Sequence, residues 1–112
     1  MHLPVDLSEA EFQDTVIEVA RLTGWRIYHA RPAQVRPGKW VTAFTGDAGF
    51  PDLLLAHDTR GVLFAELKTD RGHTSPEQEK WLFTLRAAGA EAHLWRPRDM
   101  ETILDRLQGH AP

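Results

Sequence analysis

A chain of 112 residues, 42% hydrophobic and 26% charged, has the make-up of one globular domain with one core and no room for two. It contains no cysteine, which excludes disulfides and thiolate metal sites, and no apolar run near the roughly 20 residues needed to span a bilayer. The first residues, Met1 to Asp6, lack the basic start and apolar stretch of a secretory leader, so a soluble, cytoplasmic protein is expected. The net charge of −3 argues mildly against a protein that coats a polyanion. Its distribution is more informative. Between Arg21 and Trp40 lie Arg21, Arg26, Arg31, Arg36 and Lys39 with no Asp or Glu, and Trp25, Tyr28 and Trp40 stand among them. That pattern suits either contacts to phosphates and bases or a solvated basic loop.

In chain order, Ser8-Glu9-Ala10-Glu11 reads as a capping box, and Phe12, Val16, Val19 and Ala20 follow at helical spacing up to Gly24, which predicts a helix over about 9–23. Trp25 to Ala30 is aromatic and β-branched and suits a strand. Residues 31–49, with two prolines and three glycines, read as a long excursion with a possible strand at Trp40–Phe44. Leu53 to Ala56 is an apolar strand, His57 to Gly61 has turn chemistry, and Val62 to Lys68 is the returning strand, so the two form a hairpin. Ser75-Pro76-Glu77-Gln78 starts a second helix with Trp81, Leu82, Leu85 and Ala88 inward, ending at Gly89. Ala92 to Trp95 is a further strand, and Pro97-Arg98-Asp99 caps a last helix through Leu107. Helix, strand, hairpin, helix, strand, helix is an α/β layer arrangement.

The hairpin carries the chemistry. Residues two apart on a strand share a face, so Glu66 and Lys68 project together while Leu67 points away. With the turn centred on 57–61, Asp52 stands opposite Glu66 or Lys68, at a cross-strand separation of about 5 Å. Two facing carboxylates destabilise a fold unless something binds between them. A hard divalent cation with oxygen ligands does so, and it also polarises a phosphoryl oxygen and acidifies a bound water. Lys68 would orient that water or offset developing charge. The plain alternative is an Asp at a strand start beside a Glu66–Lys68 surface pair.

Gly49-Phe50-Pro51-Asp52, thirteen intervening residues, and Glu66-Leu67-Lys68 resemble the PD-(D/E)XK nuclease signature. With Ser8 to Gln13, Gly24-Trp25, Tyr28-His29, Phe64 to Thr69, Ser75 to Gln78, Trp81-Leu82, Leu85, Gly89 and Trp95-Arg96-Pro97, the chain is similar to stand-alone VRR-NUC domains of phages and prophages. The resemblance runs over about 8–107, leaves out 31–45, and treats 1–112 as one domain. It implies a restriction-endonuclease-like core: a mixed four-stranded sheet flanked by helices, αβββαβ plus a C-terminal helix. It also implies a DNA endonuclease that uses Mg²⁺ or Mn²⁺ and acts on branched or structured, Holliday-junction-like DNA in repair or recombination. A homodimer in a bacterial or phage-infected cytoplasm is expected with it, with no membrane association.

By the same resemblance Asp52, Glu66 and the backbone carbonyl of Leu67 are the metal ligands and Lys68 the catalytic lysine. Glu11 stands where a first-helix carboxylate joins the metal site, although it equally suits the capping box, and Glu18 lies on nearly the same side of the helix. Gln78 matches a glutamine near the site, or caps its helix, or does both. His29, Arg31, Arg36 and Lys39 are candidate DNA contacts, with His29 otherwise an ordinary core or surface histidine. The competing functions are a catalytically silent DNA-binding module and a phage accessory or interaction protein.

Overall fold

A computed structural model describes residues 7–30, 33–41 and 45–109. Helix α1, Glu9–Leu22, begins at the N-cap Ser8, whose hydroxyl accepts from the Glu11 N–H while Glu11 accepts from the Ser8 N–H. Phe12, Val16 and Ala20 form its buried stripe. Strand β1, Arg26–His29, follows. A short hairpin, β2 at Ala33–Arg36 and β3 at Lys39–Val41, makes a separate two-stranded sheet. Strands β4, Leu53–His57, and β5, Gly61–Leu67, precede helix α2 at Pro76–Ala87. Strand β6, Ala92–Trp95, a single 3-10 turn at Pro97–Asp99 and helix α3, Met100–Leu107, complete the chain.

The main sheet is mixed, in the order β1-β4-β5-β6, antiparallel except for the β5–β6 pair, and three helices flank it. This is the α/β arrangement expected from the sequence. Alternation along the strands gives the sheet two unlike faces. On one, Leu53, Leu55, Leu63, Ala65 and Leu67 are buried with the α1 stripe and with Met100, Ile103 and Leu107 of α3. On the other, Phe64 meets Phe50, which also meets Trp81 of α2, both pairs edge to face. Among the described residues no helix is long and apolar enough to cross a membrane.

Four local expectations change. The excursion at 31–49 holds the β2–β3 hairpin, because Pro37 and Gly38, the latter at φ +77°, make a turn of the Pro-Gly kind. The strand expected at Trp40–Phe44 is Lys39–Val41, and 42–44 lie outside the described residues. Ala88, expected inward, is the exposed C-cap of α2. Trp25 sits just before β1 rather than in it, buried, with its indole N–H donating to the Leu107 carbonyl at 2.9 Å.

The end of the molecule opposite the Asp52–Glu66 edge is tied by the guanidinium groups of Arg60, which donates to the Thr23 and Leu107 carbonyls, and Arg106. Arg106 makes two bonds to the Glu91 carboxylate, 2.7 and 2.8 Å, donates to the Arg60 carbonyl at 2.7 Å, and lies over the Trp25 ring. Burial pushes the Glu91 carboxyl up, but hydrogen bonds and charge from Arg106 and His93 outweigh it and hold the group below its ordinary value. A lowered carboxyl pKa stabilises the fold above the unfolded-state value and loses that contribution as the pH falls. Arg106→Ala should therefore cost about 2–4 kcal/mol in urea unfolding at pH 7. The deficit should shrink as the pH falls below the ordinary value of 4.5, where Glu91 takes up its proton; a deficit unchanged with pH would contradict the pairing.

Candidate active site

The β4–β5 ladder runs Leu53↔Ala65, Leu54↔Phe64, Leu55↔Leu63, closing at His57↔Gly61. One step beyond Leu53, Asp52 stands across from Glu66, and its Oδ2 accepts the Leu67 N–H at 2.8 Å. The strand partner thus holds the aspartate through its own backbone. Gly49 explains the approach of this segment. It has φ +94°, and a Cβ there would lie 2.5 Å from the Glu77 carbonyl carbon and 2.8 Å from the Gln78 N. Only glycine lets the chain pass this closely over the start of α2.

Glu66 is 1% exposed, the one buried charged side chain among the described residues. Its Oε1 accepts from Gln78 Nε2 at 3.0 Å. Gln78 is itself oriented, because its Oε1 accepts the Ser75 N–H at 2.9 Å in the α2 capping box. With the amide oxygen committed to the cap, the NH2 group must face Glu66. Gln78 thus both caps α2 and stands beside Glu66. Glu66 Oε2 is buried with no hydrogen-bond partner. Burial first, then the negative charge of Asp52 and a hydrogen bond to Asp52 that only the protonated carboxyl can donate, push the Glu66 carboxyl up to about 8, partly offset by Lys68.

A buried oxygen without a partner costs on the order of 1–3 kcal/mol, and more when charged. Two converging carboxylates, one carrying such an oxygen, are hard donors that fit Mg²⁺ or Mn²⁺. Among the described residues no third acidic or histidine side chain completes a cluster able to hold an ion. The side-chain oxygens available are those of Asp52 and Glu66.

The first-helix carboxylate directed toward this site is Glu9, not Glu11 or Glu18. Glu9 Oε1 lies 3.9 Å from Lys68 Nζ, and its charge adds to the upward push on Glu66. Glu11 is spent on the cap, where bonds to Ser8 hold its carboxyl below the ordinary value. Glu18 is exposed. A signal was present in the spacing: Glu9, itself half exposed, stands at i with the buried Phe12 and Val16 at i+3 and i+7, on the helix side that turns to the sheet, whereas Glu11 lies about 200° away from Glu9.

The structure places His29 as a brace. Its Nδ1 lies 3.1 Å from the Asp52 carbonyl and its Nε2 is 2.6 Å from Gln13 Nε2. A carbonyl only accepts, so Nδ1 carries the proton and Nε2 accepts from the Gln13 amide. Both ring nitrogens are occupied in tying α1 and β1 to the Asp52 backbone. Arg36 and Lys39 are exposed beside the β2–β3 turn, with no contact to the carboxylates, and Arg31 lies outside the described residues. Arg96, not singled out from sequence beyond its place in Trp95-Arg96-Pro97, donates to the carbonyls of Thr69 and Gly72 at 2.6 and 2.7 Å. It braces the loop that leaves Lys68.

Because Glu66 has a raised pKa in the fold, its contribution is intact below the ordinary value of 4.5 and is lost as the pH rises toward about 8. In EDTA, Glu66→Gln should leave the melting temperature near wild type at pH 4 and raise it at pH 8.5. A variant that melts below wild type at pH 8.5 would show that the buried charge is not the strained element. Gly49→Ala should lower stability by roughly 1–3 kcal/mol through the positive φ and the clash with Glu77, measured by urea unfolding. An Ala variant as stable as wild type would show that the close approach is not needed.

The model of the VRR-NUC domain, a nuclease-type family, matches residues 16–99, well over half of the chain. No curated protein matches. A solved structure described as a VRR_NUC domain protein superposes with a TM-score of 0.61 at 20% identity, covering 94% of this chain and 93% of the other. At that identity the likeness concerns the fold. Taken with the family match over the strands and helix that build the carboxylate pair, it leads to one statement: this chain belongs to the VRR-NUC domain family.

Proposed function

We propose that this protein is a metal-dependent endodeoxyribonuclease that hydrolyses phosphodiester bonds in branched or structured DNA. The observation that carries the proposal is the buried Glu66, with one oxygen held by Gln78 and the other without a partner, facing Asp52 across the ladder. A purely structural hairpin has no use for that arrangement, since a neutral residue in its place would remove the cost.

Asp52, Glu66 and the Leu67 carbonyl would hold Mg²⁺ or Mn²⁺. When bound, such an ion supplies Lewis-acid polarisation of the phosphoryl oxygen and a water acidified toward hydroxide. The chain's own residues do the rest. Gln78 fixes the Glu66 carboxylate plane through one oxygen and leaves the other available. The Leu67 N–H holds Asp52 in the matching position. Lys68, on the same strand face as Glu66 and 16% exposed, brings an ammonium group that orients the attacking water and offsets charge on the phosphate as it gains a fifth oxygen. Glu9 keeps that ammonium directed at the site. A homodimer would present two such sites to the strands of a symmetric junction.

The test is cleavage of labelled single-strand, duplex, flap and four-way-junction DNA with and without Mn²⁺. Cutting should require the metal and vanish in Asp52→Ala. Lys68→Ala should slow cleavage by about 100-fold or more while DNA affinity stays within about twofold. Undiminished cutting in EDTA, or by Lys68→Ala, would overturn the proposal. DNA binding without cleavage would make the chain a binding module, and neither binding nor cleavage an interaction protein.

A further inference from the structure

Among the described residues, the face of the sheet that carries Glu66 is only half covered. Helix α2 lies against β6 and reaches β5 through Gln78, burying Leu82, with half-buried Leu94 lining a groove beside it. Among the described residues, the β1–β4 half of the same face is exposed: Tyr28 of β1 is 62% exposed, with Arg26 exposed two residues before it on the same side, and Val62 at the near end of β5 is 51% exposed. Phe50, 43% exposed, stands at the boundary with α2 against Phe64 and Trp81.

The register places these aromatics beside the carboxylates. Tyr28 is paired with Leu54, and Asp52 lies two residues back along β4. Strand rise and spacing put the two backbones roughly 8 Å apart, about the height of two stacked bases at roughly 3.4 Å each. Phe50 precedes Asp52 by two residues. Along β1, β4 and β5, the strand residues on this face are Arg26, Tyr28, Leu54, Ala56, Val62, Phe64 and Glu66, so the approach carries a positive charge and no negative one before Glu66.

We propose that this open half-face, between Tyr28 and Phe50, is a stacking site for unpaired bases next to the scissile phosphate. It rests on the nuclease reading and extends it, by making single-stranded nucleotides beside the cut the feature selected. A duplex keeps its base faces stacked on each other, whereas unpaired bases offer theirs to an aromatic ring irrespective of sequence. Arg26 would contact the backbone of the same strand, a contact that weakens with salt.

The experiment uses the full chain and two oligonucleotide substrates identical except that one carries unpaired bases beside the cut. Affinity is read by fluorescence anisotropy in the Asp52→Ala background and cleavage in Mn²⁺ with Asp52 intact, comparing Tyr28, Tyr28→Ala and Tyr28→Trp. Tyr28→Ala should weaken binding of the unpaired substrate by about tenfold or more and leave the fully paired one within about twofold. Tyr28→Trp should restore the wild-type preference. Since Tyr28 is solvent-exposed, its melting temperature should stay near wild type. If wild type cuts DNA and Tyr28→Ala shows the same preference as wild type, the stacking site is wrong and the nuclease reading stands. If wild type neither binds nor cuts any DNA, both fall. If sedimentation shows a dimer that Tyr28→Ala dissolves, the face belongs to a second copy and the stacking site is overturned.

Discussion

The molecule is organised around one carboxylate that water cannot reach. Glu66 is held by a single donor, Gln78, with Asp52 beside it and one oxygen left without a partner. Such a group is expensive in a domain whose net stability is small. It persists because its neighbours over-determine it. The β4–β5 register sets Asp52 across from it, the Leu67 N–H fixes Asp52, and the α2 cap fixes Gln78. Gly49 allows the segment before Asp52 to lie against the backbone of α2, so aspartate and glutamine are positioned by the same close approach.

The two faces of the sheet divide the labour. One is packed with α1 and α3 into an apolar core that includes Phe12, Leu55, Leu63 and Ile103. That face supplies the apolar burial that stabilises the fold, and the indole N–H of Trp25 within it is satisfied by the Leu107 carbonyl. The other bears Glu66 and Gln78 and is covered by α2 only in part. Links cross from the packed side to the site. His29 and Gln13 fasten α1 to the Asp52 backbone, and Glu9 at the start of α1 reaches Lys68. At the far end Arg106 and Arg60 tie α3 to the β4–β5 turn and to the end of α1. A rigid frame at one end thus supports a strained cluster at the other.

Nothing in this arrangement depends on a long loop. Glu66 lies in β5 and Gln78 in the first turn of α2, while Asp52 and Lys68 sit one residue beyond the ends of β4 and β5, where hydrogen bonds to the Leu67 N–H and the Trp95 carbonyl hold them. The loop after Lys68 could have been the exception, but Arg96 holds it by two carbonyls.

Much of this was legible in the 112 residues, because the decisive patterns are short-range. A period of two along Val62–Lys68 and a tight turn suffice to set Asp52 across from Glu66, and Ser-x-x-Glu and Ser-Pro-x-Gln announce both helix starts. What the local pattern left open was how the layers meet. Whether Glu9 or Glu11 faces the sheet depends on how α1 rolls to bury Phe12, Val16 and Ala20. His29 became a brace only because β1 pairs with β4 beside Gln13, and no residue near it in sequence specifies that neighbour. The hairpin at Ala33–Val41 and the open half of the sheet were likewise decided in three dimensions. A chain's periodicity states which side of an element is apolar, but which partner covers that side, and how far it extends, is settled only when all the elements compete for the same core.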